Sequence, residues 1–243
     1  MNPLPNCHLY TFVDTAYLNG RDVAFVAQQL CDGGSDLIQL RAKSSSPDEI
    51  RRMAEIILSI TRRAGIPLVI NDHLQIAQEI GAEFCHLGQE DFFDAGYTHV
   101  FQLKLRSSRG DEAHSNSENG TQNVESSQSL LTSAATNIKI GLSTHAPAQA
   151  ERAIAAGADY VAIGPIYATG TKPTAKPVTL DYIRWAAAPQ SGVKIPWFAI
   201  GGINLQNLDE VLAAGAKRIC VVSAILNSEN IEQTCREFRK RLK

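Results

Sequence analysis

One strand-and-loop stretch decides the fold prediction: Tyr160-Val-Ala-Ile-Gly-Pro-Ile-Tyr-Ala-Thr-Gly-Thr-Lys-Pro173. Its first four residues form an apolar run that predicts a short buried strand. The prolines and glycines that follow cannot continue a strand, because proline lacks a donor and glycine is conformationally free. They predict a long loop at the carboxyl end of the strand. Thr169, Thr171 and Lys172 place two hydroxyls and an ammonium on this loop, where they could bind an anion; a flexible surface loop is the alternative.

The alternation of apolar runs with helical patterns extends outward from this stretch over the whole chain. Apolar runs predict strands at Leu9–Val13 (ending at Asp14), Asp36–Leu40, Ile66–Ile70, Glu83–Leu87, Ile138–Leu142, Asp159–Ile163, Trp197–Ile200 and Arg218–Val222. Helical spacing and glycine stops predict helices at Asp22–Leu30, Pro47–Ala64, Leu74–Ile80, Pro147–Ala156, Leu180–Ala188, Leu205–Ala214 and Ile231–Leu242.

This order of elements predicts an α/β protein with a parallel sheet. The predicted strands are continuously apolar, as expected when helices cover both faces of a sheet. Eight strand-helix units in a chain of 243 residues favour a closed (β/α)8 TIM barrel. A doubly wound open sheet is the alternative, although it would usually contain fewer strands and a single crevice.

The start of one helix is marked by three residues. Ser46 is placed as the N-cap, Pro47 as the first helical residue, and Glu49 lies three residues after the cap. This spacing predicts a capping box, in which the cap side chain and the glutamate each accept a backbone N–H. Gly65 is expected to end the same helix.

Composition and charge bound the possible functions. The chain is 44% hydrophobic and 20% charged, which is ordinary for one globular domain, and we predict a single domain over residues 1–243. The net charge of −2 gives no general attraction to nucleic acid or anionic membranes, so we expect neither as a partner. No apolar run is long enough to span a membrane, and the first residues lack the pattern of a signal peptide.

The cysteines argue against a zinc site or a disulfide framework. They are scattered and odd in number, and they lack metal-ligand spacing. A reducing cytoplasm is the compartment that we expect for such a chain. The five positions are Cys7, Cys31, Cys85, Cys220 and Cys235.

One polar segment interrupts the alternation. Arg106–Ser129 contains mainly serine, asparagine, glutamate, glutamine and glycine, with Ala113 and Val124 as almost its only apolar residues. Such a segment cannot bury enough apolar surface to offset the entropy lost on ordering. We predict a disordered insertion between strands four and five; a regulatory or partner-binding segment is the alternative.

Polar residues gather where the predicted strands end. In a (β/α)8 barrel these ends open on one face, and active sites form there. Fewer polar residues lie at the strand starts. For the four charged residues there, Asp36, Glu83, Asp159 and Arg218, we expect structural or solvated roles. The residues at the strand ends are Gln39, Arg41, Lys43, Asn71, Asp72, Gln89, Asp91, Ser143, His145, Thr169, Thr171, Lys172, Gly201, Gly202, Val222 and Ser223.

Two small-residue turns predict a phosphate site. Gly201-Gly202 follows strand seven and Val222-Ser223 ends strand eight. In this fold the loops after these strands commonly hold a phosphate through backbone N–H groups and a helix N-terminus. Two ordinary tight turns are the alternative.

Two carboxylates predict a magnesium site. Asp72 and Asp91 follow neighbouring strands, and Mg²⁺ takes one or two carboxylates together with water and substrate phosphate oxygens. Asp72 alone would more simply be a helix N-cap. With Arg41, Lys43 and Lys172 on the same rim, the set favours a Mg²⁺–diphosphate site.

The histidines are not assigned to the chemistry. His86 lies within strand four and is expected to be a core histidine with satisfied hydrogen bonds, and His73 and His145 are left without a role. No Cys–His or Ser–His–Asp spacing demands a covalent nucleophile.

Seven short segments, taken together, resemble the thiamine phosphate synthase family. They occur in that family's order and span nearly the whole chain outside the insertion. They are Gln39-Leu-Arg-Ala-Lys43, Ile70-Asn-Asp72, His86-Leu-Gly-Gln-Glu-Asp91, Gly141-Leu-Ser-Thr-His145, Gly164-Pro-Ile with Thr169-Gly-Thr-Lys172, Ala199-Ile-Gly-Gly-Ile203 and Val221-Val-Ser-Ala-Ile225.

The resemblance implies a Mg²⁺-dependent transferase on a TIM barrel. It would join 4-amino-2-methyl-5-hydroxymethylpyrimidine diphosphate to 4-methyl-5-(2-phosphoethyl)thiazole, or its carboxylated form, releasing diphosphate and thiamine monophosphate. Arg41, Lys43, Ser143 and Lys172 are the implied catalytic residues, and Asp72 and Asp91 the implied Mg²⁺ ligands. The implied substrate-binding residues are Gln39, Leu40, Arg41, Ala42, Lys43, Asn71, Ser143 and Lys172 for the pyrimidine diphosphate, and Thr169, Gly170, Thr171, Gly202, Val222 and Ser223 for the thiazole phosphate.

Two other functions compete with this one. A thiazole tautomerase of the sister family would not need the paired aspartates, the cations at 41 and 43, or the Thr-x-Thr-Lys loop. A non-catalytic thiamine-precursor binding protein would not need intact metal and diphosphate residues. The chain departs from the family at His73, where an arginine is usual.

Overall fold

Eight parallel strands form a closed barrel in the computed structural model, which describes residues 4–107, 138–170 and 176–242. Each strand pairs with the next in the chain, and the last pairs with the first. The predicted (β/α)8 barrel is therefore confirmed, and the open-sheet alternative is wrong. The strands are β1 Leu9–Asp14, β2 Leu37–Arg41, β3 Leu68–Asn71, β4 Phe84–Gly88, β5 Lys139–Thr144, β6 Tyr160–Ile163, β7 Trp197–Ile200 and β8 Ile219–Val221.

Helices follow the strands and cover the outside of the barrel. In the described part of the chain, none is both long and apolar enough to cross a membrane. The α-helices are α1 Val23–Asp32, α2 Pro47–Ala64, α3 Leu74–Ile80, α4 Gln89–Asp94, α5 Val100–Ser107, α6 Pro147–Ala155, α7 Thr179–Ala187, α8 Leu208–Ala213, α9 Ser223–Leu226 and α10 Ile231–Arg241.

Three of these helices were not predicted from the sequence. Helices α4 and α9 have six and four residues, which is less than two turns and too short to show a helical period. Helix α5 runs through Ser107, so the first two residues of the predicted insertion, Arg106–Ser129, are helical. The rest of that segment lies outside the described residues.

Several strands continue past their last apolar residue. Strand β1 ends at Asp14, as predicted. Strand β2 continues to Arg41, β3 continues to Asn71, and β5 extends through Ser143 to Thr144. The ladder is built from backbone groups, which polar residues also carry, so the apolar run alone predicts these strand ends too early. As a result, polar side chains at the barrel mouth are held by the sheet itself.

Aromatic side chains fill the barrel interior. Tyr10 on β1 contacts Phe198 on β7 with ring centroids 5.3 Å apart, and Tyr160 on β6 contacts Phe198 at 5.8 Å. Tyr10 and Tyr160 lie 6.3 Å apart, and Phe84 on β4 lies 6.2 Å from Tyr160. Tyr10 and Tyr160 belong to strands that do not pair, so they meet through the interior. All four rings are fully buried.

Carboxylates at the strand starts bind backbone N–H groups of neighbouring strands. Asp36 Oδ2 accepts from the backbone of His8 and Leu9 at 2.8 and 2.9 Å, and Asp159 Oδ2 accepts from Ile140 at 2.8 Å. Glu83 accepts from the backbone of Leu68 in the same way at 3.1 Å. These contacts confirm a structural role for the three acids at the amino-terminal face of the barrel.

Helix α2 has the predicted capping box. Glu49 Oε2 accepts from the backbone N–H of Ser46 at 2.7 Å, and Ser46 Oγ accepts from the backbone N–H of Glu49 at 3.4 Å. Gly65 ends the helix in the left-handed region, with φ of 70°. The helix then buries one face, including Ile50, Ala54 and Ile57, against the barrel.

Replacing the cap should weaken the fold without altering the core. We expect Ser46→Ala to lower the free energy of unfolding by about 1 kcal/mol, because a backbone N–H at the helix start loses its acceptor. Urea denaturation of both proteins measures the difference. Ser59→Ala, in the exposed middle of α2, is the matched control and should change stability little, since alanine is the better helix former. Equal effects at both positions would contradict the capping interpretation.

Candidate active site

Among the residues that the structure describes, a cavity opens where the strands end at the carboxyl-terminal face of the barrel. Its empty volume, counted out into the open mouth, is about 940 Å³. Every strand contributes at least one side chain to its wall, as the parallel barrel requires. It is lined by Phe12, Gln39, Arg41, Lys43, Asn71, Asp72, His86, Gly88, Asp91, Ser143, Thr144, His145, Ala162, Gly164, Pro165, Thr169, Ile200, Gly201, Gly202, Ile203, Cys220, Val222 and Ser223.

Most of the predicted site residues meet at this cavity. The exceptions are of two kinds: Leu40, Ala42 and Gly170 do not line it, and Thr171 and Lys172 lie outside the described residues. The predicted residues that line it are Gln39, Arg41, Lys43, Asn71, Asp72, Asp91, Ser143, Thr169, Gly202, Val222 and Ser223.

The alternation of β2 separates the predicted Gln39–Lys43 segment into two sets. Successive side chains of a strand point to opposite faces, and Gln39 and Arg41 line the cavity while Leu40 is 1% exposed and packs in the core. Ala42, just after the strand, is buried as well. Any contact of these two residues with a ligand would have to involve their backbone groups.

Arg41 is held by a buried carboxylate that the sequence prediction did not select. Arg41 Nη1 donates to Asp14 Oδ2 at 2.7 Å, and Asp14 is 1% exposed. The two residues are register partners at the ends of β1 and β2. Asp14 Oδ1 also accepts from the backbone of Ala16 at 3.0 Å. The guanidinium therefore has a fixed direction at the cavity wall. The sequence could have indicated Asp14 as a site residue, because Asp14 lies at the end of a predicted strand, as the predicted site residues do.

Asp72 binds two side chains instead of capping helix α3. Its Oδ2 accepts from Asn71 Nδ2 at 2.6 Å and pairs with Lys43 Nζ at 2.7 Å. Its backbone is in the left-handed region, with φ of 64°, and its N–H donates to the carbonyl of His86 at 2.9 Å. The N-cap position of α3 belongs to His73, without a side-chain cap bond. The N-cap alternative for Asp72 is therefore wrong, and its carboxylate faces the cavity.

Asp91 reaches the same cavity from the first turn of α4. A Cβ placed on Gly88 would lie 2.6 Å from Asp91 Oδ2, so the carboxylate occupies the space that a side chain at 88 would fill. Among the residues that the structure describes, no three histidine, cysteine, aspartate or glutamate side chains form a metal cluster. Asp72 and Asp91 both line the cavity, and carboxylate oxygens are ligands that Mg²⁺ accepts.

Two glycines shape the turn after β7. Gly201 and Gly202 have φ of 99° and 66°, backbone angles that residues with a side chain rarely adopt. The carbonyl of Gly202 accepts from Asn207 Nδ2 at 2.9 Å, which fixes the turn from behind. Ser223 begins α9 on the same side of the cavity, and the first N–H groups of a helix have no intrahelical acceptor. These backbone donors could hold a phosphate.

The loop after β6 is anchored at both ends. The backbone N–H groups of Ile166 and Tyr167 donate to the carbonyls of Ile200 and Gly201 at 2.9 and 3.0 Å. Val178 N–H donates back to the carbonyl of Pro165 at 2.8 Å, and the Gly164–Pro165 peptide bond is cis. These contacts tie the loop to the glycine turn and bring Thr169 to the cavity wall.

The histidines fall into three different environments. His86 lies inside the barrel, with Nε2 2.8 Å from Ser143 Oγ and Nδ1 3.1 Å from the hydroxyl of Tyr160. The prediction of a satisfied histidine is confirmed, and one of its partners is a predicted site residue. His145 lines the cavity and its Nδ1 contacts the carbonyl of Gly164. His73 does not line the cavity.

Comparison with a model of one protein family covers most of the chain. The family is described as thiamine monophosphate synthase, and its model matches residues 9–103 and 122–225. The unmatched residues between the two segments, 104–121, overlap the segment Arg106–Ser129 for which we predict an insertion.

Two curated relatives share this similarity over most of their length. The chain is 38% identical over 210 residues to the thiamine-phosphate synthase of Thermus thermophilus, covering 86% of this chain and 84% of that protein. It is 36% identical over 240 residues to the thiamine-phosphate synthase of Acidothermus cellulolyticus, covering 98% and 96%. Among solved structures, thiamine phosphate pyrophosphorylase from Pyrococcus furiosus has the same fold, with a TM-score of 0.71, 24% identity, and coverage of 99% of this chain and 96% of that one.

Removing the charge of Asp14 should destabilise the fold, because it leaves Arg41 partly buried without its counter-ion. We expect Asp14→Asn to lower the free energy of unfolding by about 3 kcal/mol, measured by urea denaturation at neutral pH. Asp181→Asn is the control, since Asp181 forms an exposed ion pair with Arg184 and should lose at most about 0.5 kcal/mol. Similar losses in the two variants would show that Asp14 does not fix the guanidinium.

Proposed function

This chain belongs to the thiamine monophosphate synthase family, and we propose that its barrel-mouth cavity joins a pyrimidine diphosphate to a thiazole phosphate with the help of Mg²⁺. The chain is a transferase that makes thiamine monophosphate. The observation that carries the proposed site is the convergence of two carboxylates, two cations and a glycine turn on one cavity. The two substrates would lie side by side across the barrel mouth.

The charges of the cavity support a metal requirement. Among the described lining residues, the charges of Arg41 and Lys43 are cancelled by those of Asp72 and Asp91, which leaves no net positive charge for a diphosphate. We propose that Asp72 and Asp91 hold Mg²⁺. The bound ion would act as a Lewis acid that neutralises charge on the diphosphate as it leaves.

Three cations of the chain are proposed to bind the diphosphate. Arg41 is directed by Asp14, and Lys43 is directed by Asp72, so both enter the reaction already oriented. Lys172 joins them from the loop after β6 as a prediction from the sequence. Ser143, at the end of β5, would donate its hydroxyl hydrogen to the same group. Such preorganised donors stabilise charge that develops on the leaving oxygen.

The pyrimidine ring would lie beside the cations. Gln39 and Asn71 line the cavity on β2 and β3, and their amides offer acceptors and donors to an aminopyrimidine. The backbone of Leu40 and Ala42 completes the predicted contact segment. This arrangement would point the exocyclic carbon of the pyrimidine toward the opposite wall.

The opposite wall is proposed to bind the thiazole phosphate. Gly202, Val222 and Ser223 line the cavity, and their backbone N–H groups would donate to the phosphate. Thr169 lies on the adjacent loop. Gly170 and Thr171 are the remaining predicted contacts. A phosphate held here would place the thiazole ring across the cavity from the pyrimidine.

The proposed reaction is a dissociative substitution. The bond between the exocyclic carbon and the diphosphate oxygen breaks, and both electrons leave with diphosphate. The electron-rich aminopyrimidine stabilises the resulting cation, and the thiazole nitrogen donates its lone pair to form the new carbon–nitrogen bond. The chain supplies orientation and charge stabilisation, and holding two substrates in contact accounts for much of the acceleration.

An assay with both purified substrates tests the proposed function. We expect thiamine monophosphate and diphosphate to form only with Mg²⁺, and EDTA to abolish turnover. Asp91→Asn, Asp72→Asn and Lys172→Ala should each lower kcat at least about a hundredfold, the size of a lost transition-state contact. Chromatographic detection of thiamine monophosphate gives the rates.

A second acid on the same helix provides the control. Asp94 lies on α4 with Asp91 but does not line the cavity, so Asp94→Asn should keep kcat within about twofold, as expected for a surface substitution. No product with Mg²⁺ present would contradict the synthase proposal, and the thiazole tautomerase reaction would then be assayed. Near-normal rates in the Asp91 and Asp72 variants would contradict the metal site alone.

Residues between the two family-matched segments are proposed to lie outside the catalytic machinery. Deletion of residues 108–121 should keep kcat within about twofold, because surface loops tolerate large changes in length at small free-energy cost. The control replaces the same residues with a glycine-serine linker of equal length. If kcat fell strongly in the deletion variant but not in the linker variant, the loop would be needed only for its length. If kcat fell in both variants, these residues would serve the active site.

A further inference from the structure

A chain of hydrogen bonds crosses the barrel interior beneath the cavity. Gln39 Nε2 donates to the hydroxyl of Tyr10, and the hydroxyls of Tyr10 and Tyr160 lie 3.3 Å apart. The hydroxyl of Tyr160 lies 3.1 Å from His86 Nδ1, and His86 Nε2 lies 2.8 Å from Ser143 Oγ. The two ends of this chain, Gln39 on β2 and Ser143 on β5, both line the cavity, and we call the five residues the interior relay.

The interior relay is built into the packing of the barrel. Tyr10 and Tyr160 are 0% exposed and Gln39 is 1% exposed. The ring of Tyr160 fits because residue 141 has no side chain: a Cβ on Gly141 would lie 2.1 Å from Tyr160 Cζ. A buried hydroxyl that loses its partner costs more than an exposed one. The geometry therefore holds the four links together as one unit.

One direction gives every hydrogen of the interior relay an acceptor within it or in the cavity. In this direction Tyr10 accepts from the amide of Gln39 and donates to Tyr160. Tyr160 then donates to His86 Nδ1, which must carry a lone pair. The ring hydrogen of His86 lies on Nε2 and is donated to Ser143, whose own hydrogen remains for a ligand in the cavity. Burial raises the pKa of both phenols well above the usual value, so each keeps the hydrogen that it donates.

We propose that Tyr10 and Tyr160 are positioning residues that couple the amide of Gln39 to the hydroxyl of Ser143. The proposal rests on the function proposed above, in which these two end residues contact the pyrimidine diphosphate. With the relay in this direction, Gln39 keeps its carbonyl oxygen for the amino group of the pyrimidine, and Ser143 keeps a hydrogen for an anionic oxygen. The opposite direction would leave an amide hydrogen of Gln39 and a lone pair of Ser143 for the ligand, which is the wrong polarity at both ends.

A double-mutant cycle tests the coupling. Tyr160→Phe and Tyr10→Phe each remove one hydroxyl and retain the ring, and each should lower the single-turnover rate roughly tenfold, the effect of one lost oriented hydrogen bond. In the Ser143→Ala background the same substitutions should lower the rate by a clearly smaller factor, because only the Gln39 end of the relay is then left to orient. Tyr10 has no contact with Ser143, so a simple packing defect would be additive.

Tyr182→Phe is the matched control. Tyr182 is buried, and its hydroxyl bonds Thr144 Oγ1 at 2.7 Å and the carbonyl of Ala146 at 2.9 Å, outside the relay. It should lose stability to a similar extent while its rate stays within about twofold. Thermal melts check that each variant folds. If Tyr160→Phe does not fold, the double-mutant cycle is measured with Tyr10→Phe and Ser143→Ala. Unchanged rates in the relay variants, or equal losses in both backgrounds, overturn the proposal.

The tautomer of His86 gives a readout that does not depend on activity. In ¹⁵N-labelled protein at neutral pH we expect the Nε2–H tautomer, with the signal assigned by its loss in His86→Asn. The Nδ1–H tautomer would overturn the proposed direction of the relay. If the wild-type chain made no thiamine monophosphate, the proposed function would fail while the tautomer would still report the relay.

Discussion

The closed pairing of parallel strands is the constraint on which the site depends. Because β8 pairs with β1, no strand can shift register without disturbing the whole ring, and every strand must end at the same mouth. The register sets Asp14 beside Arg41 and Gly88 beside Ser143. It also brings two tyrosines 150 positions apart into hydrogen-bond contact across the interior. Local sequence supplies the side chains, but closure determines which of them meet.

The described cationic side chains at the cavity rim are paired with carboxylates. Each described cation on the rim faces a carboxylate: Arg41 faces a fully buried one, and Lys43 faces one that is itself a proposed metal ligand. Paired charges are held in place without the free-energy cost of leaving a buried ion alone. Because these pairs cancel, a local anion site in this cavity would depend on the proposed Mg²⁺ as well as on the oriented donors. The pairing explains why the site can be rigid before a substrate arrives.

Much of this architecture could be predicted from the sequence, for identifiable reasons. Continuous apolar runs and glycine stops mark strands and helices locally, and the rule that barrel strands end at one face selects the rim residues. The role of Tyr10 could not be predicted, because a tyrosine within an apolar run looks like core and its partner lies across the barrel. The N-cap alternative for Asp72 failed because a left-handed backbone cannot be inferred from residue type. Lys172 and Thr171 lie outside the described residues and stay predictions, as does most of the insertion.

The missing side chain at position 141 has an evolutionary consequence. Gly141 and the ring of Tyr160 occupy one volume, divided between two neighbouring strands. Even an alanine at 141 would require a smaller residue at 160, and a smaller residue at 160 would leave a cavity unless 141 grew. Among related sequences these two positions should therefore change together or not at all. Relatives in which residues 141 and 160 vary independently of each other would have to pack the barrel interior in a different way.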